Sequence, residues 1–218
     1  MARKDFKNRD EFRTEIENIK QIFFTLRKSE NILEAFDGLQ LGDSQFSLFM
    51  PYSQWDLGVW MEKHPFPVNT PTEKANILRS ATSLADGLEF LHSGMTDRNH
   101  RRIICYHRNF KPGNILVFPD DRDSSQFIWK ICDFGISSIK SLRPHTETDG
   151  TDSNSSSFQS DVNAMNPRVD STYLGPESMK NMSIMTEKND IWSLGCIISV
   201  VLTYLELGWM GVGDYSKE

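Results

Sequence analysis

Apolar residues near the N-terminus recur with the period of an α-helix. Between residues 8 and 24 they fall on every third or fourth position, so they form one stripe along a helix. The stripe consists of Phe12, Ile16, Ile19 and Phe23. The pattern therefore predicts a helix over residues 8–24 whose apolar side faces the core.

Short runs of β-forming residues flank this helix. They predict strands at residues 1–6, 31–36 and 45–52. Gly42 and Asp43 are turn-forming residues that separate the last two runs. The N-terminal part of the chain is therefore predicted to follow the order strand, helix, strand, strand.

A second helix is predicted from its start signal. Thr70 has the position of an N-cap, Pro71 that of the first helical residue and Glu73 that of the third. Its predicted buried side consists of Ile77, Leu78, Ala81, Leu84, Leu88 and Leu91. A polar, basic loop is predicted at residues 94–102, followed by short strands at 103–106, 115–118 and 127–132.

The C-terminal third alternates between very polar and very apolar sequence. Residues 144–166 are rich in Ser, Thr, Asp and Asn, which cannot bury enough apolar surface to become ordered. The apolar run 191–205 is shorter than the ~20 residues of a membrane span. It predicts a buried core helix at 191–207, followed by a Gly-rich, acidic tail.

Composition indicates a soluble intracellular protein. The chain of 218 residues is long enough for one domain with a smaller lobe, and its net charge of −6 argues against a general nucleic-acid or membrane binder. The charged N-terminus lacks the apolar segment of a secretory signal. The cysteines, Cys105, Cys132 and Cys196, have no metal-ligand spacing and predict buried thiols in a reducing compartment, the cytoplasm or the nucleus.

A series of short motifs points to one protein family. His107-Arg108-Asn109 is followed by Lys111-Pro112, Asn114 and Asp133-Phe134-Gly135. Gly175-Pro176-Glu177 and Asp190-Ile191-Trp192-Ser193-Leu194-Gly195 come next. In order and in catalytic-loop spacing, this series resembles the signatures of a eukaryotic protein kinase, and the resemblance covers nearly the whole chain. Lys-Pro at this position resembles serine/threonine kinases.

The resemblance implies ATP and Mg²⁺ as ligands. It assigns Asn114 and Asp133 to the metal, in keeping with the hard oxygen ligands that magnesium prefers. It places Lys111 near the transferred phosphate and Arg108 near a phosphate on the activation segment. Hydroxyls between residues 146 and 172 are then candidate sites of regulatory phosphorylation.

The resemblance extends into the N-terminal part. Lys4 has the position of the lysine that holds the α- and β-phosphates, and a glutamate of the following helix is expected to pair with it. Of the two candidates, Glu15 lies beside the apolar stripe and Glu17 on the solvated side, which favours Glu15. Met50 has the gatekeeper position. The hinge that would contact adenine is Pro51, Tyr52 and Ser53.

Three departures from the family pattern argue against full activity. Asn109 replaces the aspartate that accepts the substrate proton, and an amide cannot accept a proton at neutral pH. No Gly-rich loop precedes Lys4, and the apolar helix is followed by few residues. We therefore expect a fragment of a longer kinase, or a truncated or mispredicted gene product.

The sequence predicts an α+β, protein-kinase-like fold with two lobes. Residues 1–53 form a partial small lobe, and residues 54–218 a mainly helical large lobe that is cut short. The favoured function is weak phosphoryl transfer from ATP to Ser/Thr hydroxyls of a protein. One alternative is an inactive pseudokinase that binds nucleotide or a partner protein. Another is a small-molecule kinase of the aminoglycoside or choline type, which lacks the Pro-Glu and D-I-W-S-L-G elements.

Overall fold

The small lobe is an antiparallel sheet covered by one helix. The computed structural model describes residues 1–142, 171–180 and 185–215. Strands β1 (Ala2–Asp5), β2 (Asp37–Leu41) and β3 (Gln45–Met50) pair in the order β1-β3-β2. Lys4 lies opposite Leu48 in this register, so its side chain is directed to the face on which helix α1 (Arg9–Phe23) packs.

Helix α1 begins as its sequence indicates but is rotated from the predicted orientation. Asn8 is the N-cap, and its side chain accepts a hydrogen bond from the Glu11 N–H at 2.9 Å. Ile16 and Phe23 of the predicted stripe are only partly buried. The buried side is instead formed by Phe12, Glu15, Asn18, Ile19 and Ile22. Two polar residues therefore lie on the inner face, because partners for them are present there.

The prediction of a strand at residues 31–36 is wrong, because the second strand begins only at Asp37. The preceding segment runs beside the large lobe instead: Ile32 forms an isolated parallel bridge with Ile131, and the Leu33 N–H donates to the Ile131 carbonyl at 2.9 Å. These contacts satisfy the backbone of an apolar run outside a ladder. Periodicity cannot distinguish the two arrangements.

In the part of the chain that the structure describes, the large lobe combines four α-helices with six strands. Strands β4 (Trp55–Asp56), β7 (Ile115–Asp120) and β8 (Asp123–Ile131) form one sheet. Strands β5 (Met95–Thr96), β6 (Arg102–Tyr106) and β9 (Ser138–Leu142) form another. The helices are α2 (Leu57–Lys63), α3 (Pro71–Glu89), α4 (Pro176–Lys180) and α5 (Glu187–Tyr215).

Helix α3 confirms its predicted start, with Thr70 as N-cap and Pro71 in the first turn. Its inner face carries Ile77, Ala81, Leu84 and Leu88 as predicted, whereas Leu78 is only partly buried. Helix α2 and strand β9 were not predicted. The segment predicted as a loop at 94–102 contains β5 and a turn. The polar segment predicted at 144–166 lies outside the described residues.

Helix α5 is longer than predicted, because it continues through the sequence expected to be a tail. Its regular dihedrals are interrupted only at Gly208, whose φ is +69°, and a Cβ there would lie 2.4 Å from the Pro65 carbonyl. By length and composition alone, the helix from Glu187 to Asp214 could cross a membrane. Its inner side, however, contributes Ile197, Val201 and Tyr204 to the core that both lobes share.

Candidate functional site

A cleft between the two lobes is lined by side chains from the N-terminal part and from the middle of the chain. Its volume is about 240 Å³, and its polar lining residues are Lys4, Glu15, Asn114 and Asp133. The apolar lining residues are Ile19, Leu33, Ala35, Leu48, Met50, Leu116 and Phe134. The cleft therefore combines apolar walls with a charged end, as small-molecule sites commonly do.

Lys4 connects the two lobes at the charged end of the cleft. Its Nζ donates to both carboxylate oxygens of Glu15, at 2.8 and 2.7 Å, and to Oδ1 of Asp133 at 2.9 Å. The Glu15 side chain is 2% exposed, whereas Glu17 pairs with Arg13 on the exposed side of α1. The structure thus brings together Lys4 and the glutamate favoured by the sequence pattern.

Burial and charge act in opposite directions on the pKa values of these groups. Burial favours neutral Lys4, but the carboxylates of Glu15 and Asp133 outweigh it and raise the lysine pKa above its usual value. Burial likewise favours protonated Asp133, but Lys4 outweighs it, so the pKa of that carboxyl is lowered. Lys4 and Asp133 are therefore both charged at neutral pH.

Asp190, in the first turn of α5, holds the loop 107–114 in place. The Asp190 carboxylate accepts the backbone N–H groups of His107 and Arg108 at 2.8 and 2.9 Å. It also accepts Nε2–H of His92 at 3.0 Å, and Asp190 is 0% exposed. Arg108 has a φ of +65°, which is unfavourable for a residue with a side chain. Asp190 therefore stabilises a loop conformation that the backbone would not adopt unaided.

Asn109 and Asn114 are linked inside this loop. Nδ2 of Asn114 donates to the Asn109 carbonyl at 2.7 Å, and both residues are buried. Oδ1 of Asn109 is buried and accepts no hydrogen bond. Burying a polar atom without a partner is unfavourable. The carbonyl oxygen of the Asn109 side chain is thus a buried polar atom with no hydrogen-bond partner.

His107 has a defined tautomer. Its Nε2 lies 2.9 Å from the Cys132 carbonyl, which can only accept, so Nε2 carries the proton. Nδ1 accepts the Asn109 N–H at 3.3 Å. Burial lowers the pKa of this histidine, although the nearby carboxylates of Asp190 and Asp133 oppose the effect. The imidazole is therefore neutral in the folded protein and connects the loop to the strand that precedes Asp133.

We expect the free energy of unfolding to fall as the pH drops below about 6.5, the ordinary pKa of histidine. The unfolded chain binds a proton at residue 107 there, and the folded chain does not. Stability should decline by up to about 1.4 kcal/mol per pH unit. Urea denaturation between pH 7.5 and 5.5 measures this slope. The slope should be smaller in His107→Gln and unchanged in His100→Gln, an exposed control; equal slopes in all three would contradict the assignment.

The other predicted site residues lie at different places. Lys111 does not line the cleft of Lys4; it borders a small crevice with Asn109 and Tyr173. Pro51, Tyr52 and Ser53 follow Met50 directly, but they are not among the described residues that line the cleft. Ser53 Oγ donates to the Val117 carbonyl at 2.7 Å, which fixes the connection between the lobes.

Two structural residues of this site had no predicted role. Asp190 belongs to the D-I-W-S-L-G motif, but no local pattern indicates that it binds the loop at 107–108. Asn18 lies one turn after Glu15, and its amide contacts the backbone of residues 134–137. A polar residue at i+3 from the inward glutamate was the available signal.

Lobes joined at such a cleft, with a lysine–glutamate pair and a loop fixed by an aspartate, define a kinase-like protein. The sequence profile of the protein kinase domain matches residues 1–211. The chain belongs to the protein kinase domain family. This assignment agrees with the α+β fold and with the order of motifs in the sequence.

Individual relatives are similar to the chain at low identity. Cyclin-dependent kinase E-1 of Arabidopsis thaliana is 25% identical over 80% of this chain and 32% of its own length. Probable cyclin-dependent kinase 8 of Dictyostelium discoideum is 26% identical over 80% of this chain and 39% of its own. Serine/threonine-protein kinase NLK2 of Xenopus laevis is 27% identical over 84% and 35%. The matches thus span between 32% and 39% of the length of these relatives.

Proposed function

We propose that the chain binds ATP with Mg²⁺ in the cleft between its lobes and transfers phosphoryl groups to protein Ser/Thr hydroxyls at a strongly reduced rate. The observation that carries the proposal is the contact of Lys4 with both Glu15 and Asp133. It joins in one cleft a cation that would bind phosphate, the carboxylate that would orient it and a carboxylate that would bind metal. The serine/threonine class follows the named relatives and Lys111-Pro112.

Residues that line the cleft and residues next to it have distinct roles in this proposal. Lys4 binds the α- and β-phosphates, and Glu15 holds the ammonium group in place. Lys111 binds the γ-phosphate during transfer, and Met50 packs against the adenine, whose edge bonds to the backbone of Pro51, Tyr52 and Ser53. The cleft volume of about 240 Å³ lies somewhat below the about 300–1,000 Å³ that is usual for small-molecule pockets.

Asp133 and Asn114 fit a magnesium site. Their side chains line the same cleft, and each supplies a hard oxygen ligand. Magnesium usually takes one or two protein carboxylates, completing its shell with phosphates and water, so a larger acidic cluster is not required. When bound, the metal would neutralise charge on the phosphates. Asp133 is ionised at neutral pH, as a metal ligand must be, because Lys4 lowers its pKa.

Asn109 determines how slow the transfer is. Its amide can hold the attacking hydroxyl but cannot remove the proton, and general-base catalysis is typically worth about 10²–10⁴-fold. Phosphoryl transfer depends mainly on positioning and charge neutralisation, which the other residues supply. The proposed activity is therefore low rather than absent.

A calorimetric titration with Mg-ATP tests the proposal directly. The unmodified chain should bind saturably, whereas Asp133→Asn should bind at least about tenfold more weakly because it replaces a charged metal ligand with a neutral one, a change of ~1.4 kcal/mol. Asp5→Asn is the matched control: it neutralises an exposed aspartate next to Lys4 on the same strand and should bind normally. A folded chain that does not bind Mg-ATP would refute the proposal.

The second candidate function is that of a pseudokinase, a domain that binds nucleotide or a partner without transferring phosphate. The observation favouring it is that Asn109 is buried and chemically unable to act as a base. Binding of Mg-ATP without measurable transfer by the unmodified chain, even at high protein concentration, would select this candidate.

Regulation and location complete the proposal. Phosphorylation of hydroxyls between residues 146 and 172 would regulate the domain through Arg108, whose guanidinium is drawn to phosphate. An intracellular location, with a protein as substrate or partner and neither nucleic acid nor membrane, fits the net charge of −6. Mass spectrometry of the chain isolated from cells would identify the modified positions.

A further inference from the structure

We propose that Asn18 is a positioning residue that fixes α1 to the backbone of residues 134–137 and thereby keeps Glu15 and Asp133 in contact with Lys4. The inference rests on the proposed function, because it concerns the same cleft. It adds a residue with no assigned role, which is not among the described residues that line the cleft.

Asn18 makes two hydrogen bonds to the segment that follows Asp133. Its Nδ2 donates to the Phe134 carbonyl at 2.8 Å and to the Ser137 carbonyl at 3.1 Å. Both partners can only accept, so they determine which end of the amide faces them, and both amide protons are used. Asn18 is 8% exposed, which makes these bonds strong and their loss costly.

These bonds and the ion pairs of Lys4 together link α1 to the segment around Asp133 at two points. Lys4 contacts Glu15 and Asp133; Glu15 and Asn18 lie one turn apart on α1, and Asn18 holds the residue after Asp133. If α1 moved away, the ion pair and the amide bonds would break together. The two sets of contacts therefore fix the distance between α1 and Asp133.

The same segment is also bound to the loop 107–114. Ser137 Oγ donates to the His107 carbonyl at 3.1 Å, and the rings of His107 and Phe134 meet edge to face at 5.3 Å. Asn18 thus transmits the position of α1 to the loop that carries Asn109 and Asn114. All of these contacts lie within the described residues and none requires the segment 143–170.

The test compares Asn18→Leu and Asn18→Ser with the unmodified chain. The first removes both donors, and the second retains one hydroxyl donor, so it should give an intermediate result and remains informative if the leucine variant fails to fold. The first readout is acetylation of Lys4 by an N-hydroxysuccinimide ester at pH 8, followed by mass spectrometry without nucleotide. We expect the ester to acetylate Lys4 about tenfold faster in Asn18→Leu than in the unmodified chain, because the ion pair that protects Lys4 is loosened.

Asn31→Leu is the matched control. Asn31 is 4% exposed, and its amide also donates twice, to the Trp129 carbonyl at 3.0 Å and to Ser83 Oγ at 2.9 Å. Its loss should destabilise the fold comparably and leave Lys4 acetylation unchanged. Equal acetylation of the unmodified chain and Asn18→Leu, or equal acceleration by Asn31→Leu, would overturn the inference.

The second readout is the Mg-ATP dissociation constant, which should rise about tenfold in Asn18→Leu and stay within about twofold in Asn31→Leu. An unmodified chain that binds no Mg-ATP would refute the proposed function, and the acetylation result would still decide the role of Asn18. Normal affinity in a folded Asn18→Leu chain would overturn the inference while leaving the proposed function intact.

Discussion

Replacing Asn109 with aspartate is expected to increase phosphoryl transfer by about 10²–10⁴-fold, the usual contribution of a general base. The site around position 109 is otherwise assembled: His107 and Asp190 hold the loop, and Asn114 binds its backbone. The unpartnered Oδ1 of Asn109 marks where the carboxylate oxygen would lie. The change introduces a base without altering side-chain size.

Transfer of the γ-phosphate from radiolabelled ATP measures this effect. The chain itself, through its Ser/Thr-rich segment, and casein serve as acceptors. Asn109→Ala is the control for removal of the amide and should show no gain over the unmodified chain. The double variant Asn109→Asp/Asp133→Asn should lose the gain, which excludes a contaminating kinase.

The gain carries a stability cost. A carboxylate at a site that is 6% exposed loses hydration, so we expect the free energy of unfolding to fall by about 1–3 kcal/mol. A folded Asn109→Asp chain that binds Mg-ATP and gains no activity would contradict the prediction. In that case another departure from the family pattern, rather than residue 109, would limit transfer.

The sequence identified the charged residues of the cleft more accurately than the secondary structure and the contacts around them. Glu15 could be preferred over Glu17 because helical periodicity determines which side of α1 faces inward, and the structure pairs Glu15 with Lys4. The helix starts at Asn8 and Thr70 were also predictable, because capping is a local interaction. The roles in nucleotide and metal binding stay predictions.

The features that sequence alone missed depend on long-range contacts. In the sequence, Asn18 is a polar residue beside an apolar stripe. Its hydrogen bonds to the carbonyls of Phe134 and Ser137 form only in the folded chain. Residues 31–36 have strand-forming composition, but their backbone partner, Ile131, is a hundred residues away in the chain. A rule based on neighbouring residues cannot include such partners, so it misplaces the strand.

The sequence beyond residue 207 shows the same limit. Its glycines favoured a tail, yet α5 continues to Tyr215 after the break at Gly208. The Trp209 N–H donates to the Pro65 carbonyl at 2.9 Å, and Tyr204 Oη donates to the His64 carbonyl at 2.8 Å. These contacts with the segment after α2 hold the helix in place and outweigh its low local propensity.

Replacing Asp190 with alanine is expected to lower the free energy of unfolding by about 3–5 kcal/mol, the cost of breaking a buried charged network. The carboxylate, which is 0% exposed, accepts two backbone N–H groups and the Nε2–H of His92. Alanine leaves these donors unpaired and removes the support for the left-handed conformation of Arg108. The loop that carries Asn109 and Asn114 should then lose its order.

Urea denaturation gives the stability change, and hydrogen exchange at residues 107 and 108 shows where it arises. Asp190→Asn retains one acceptor oxygen but turns an amide donor towards an N–H, so its loss should be intermediate. Asp121→Ala, at an exposed position, should stay within about 0.5 kcal/mol. A loss below 1 kcal/mol in Asp190→Ala, or unchanged exchange at both amides, would mean that the loop is held by other contacts.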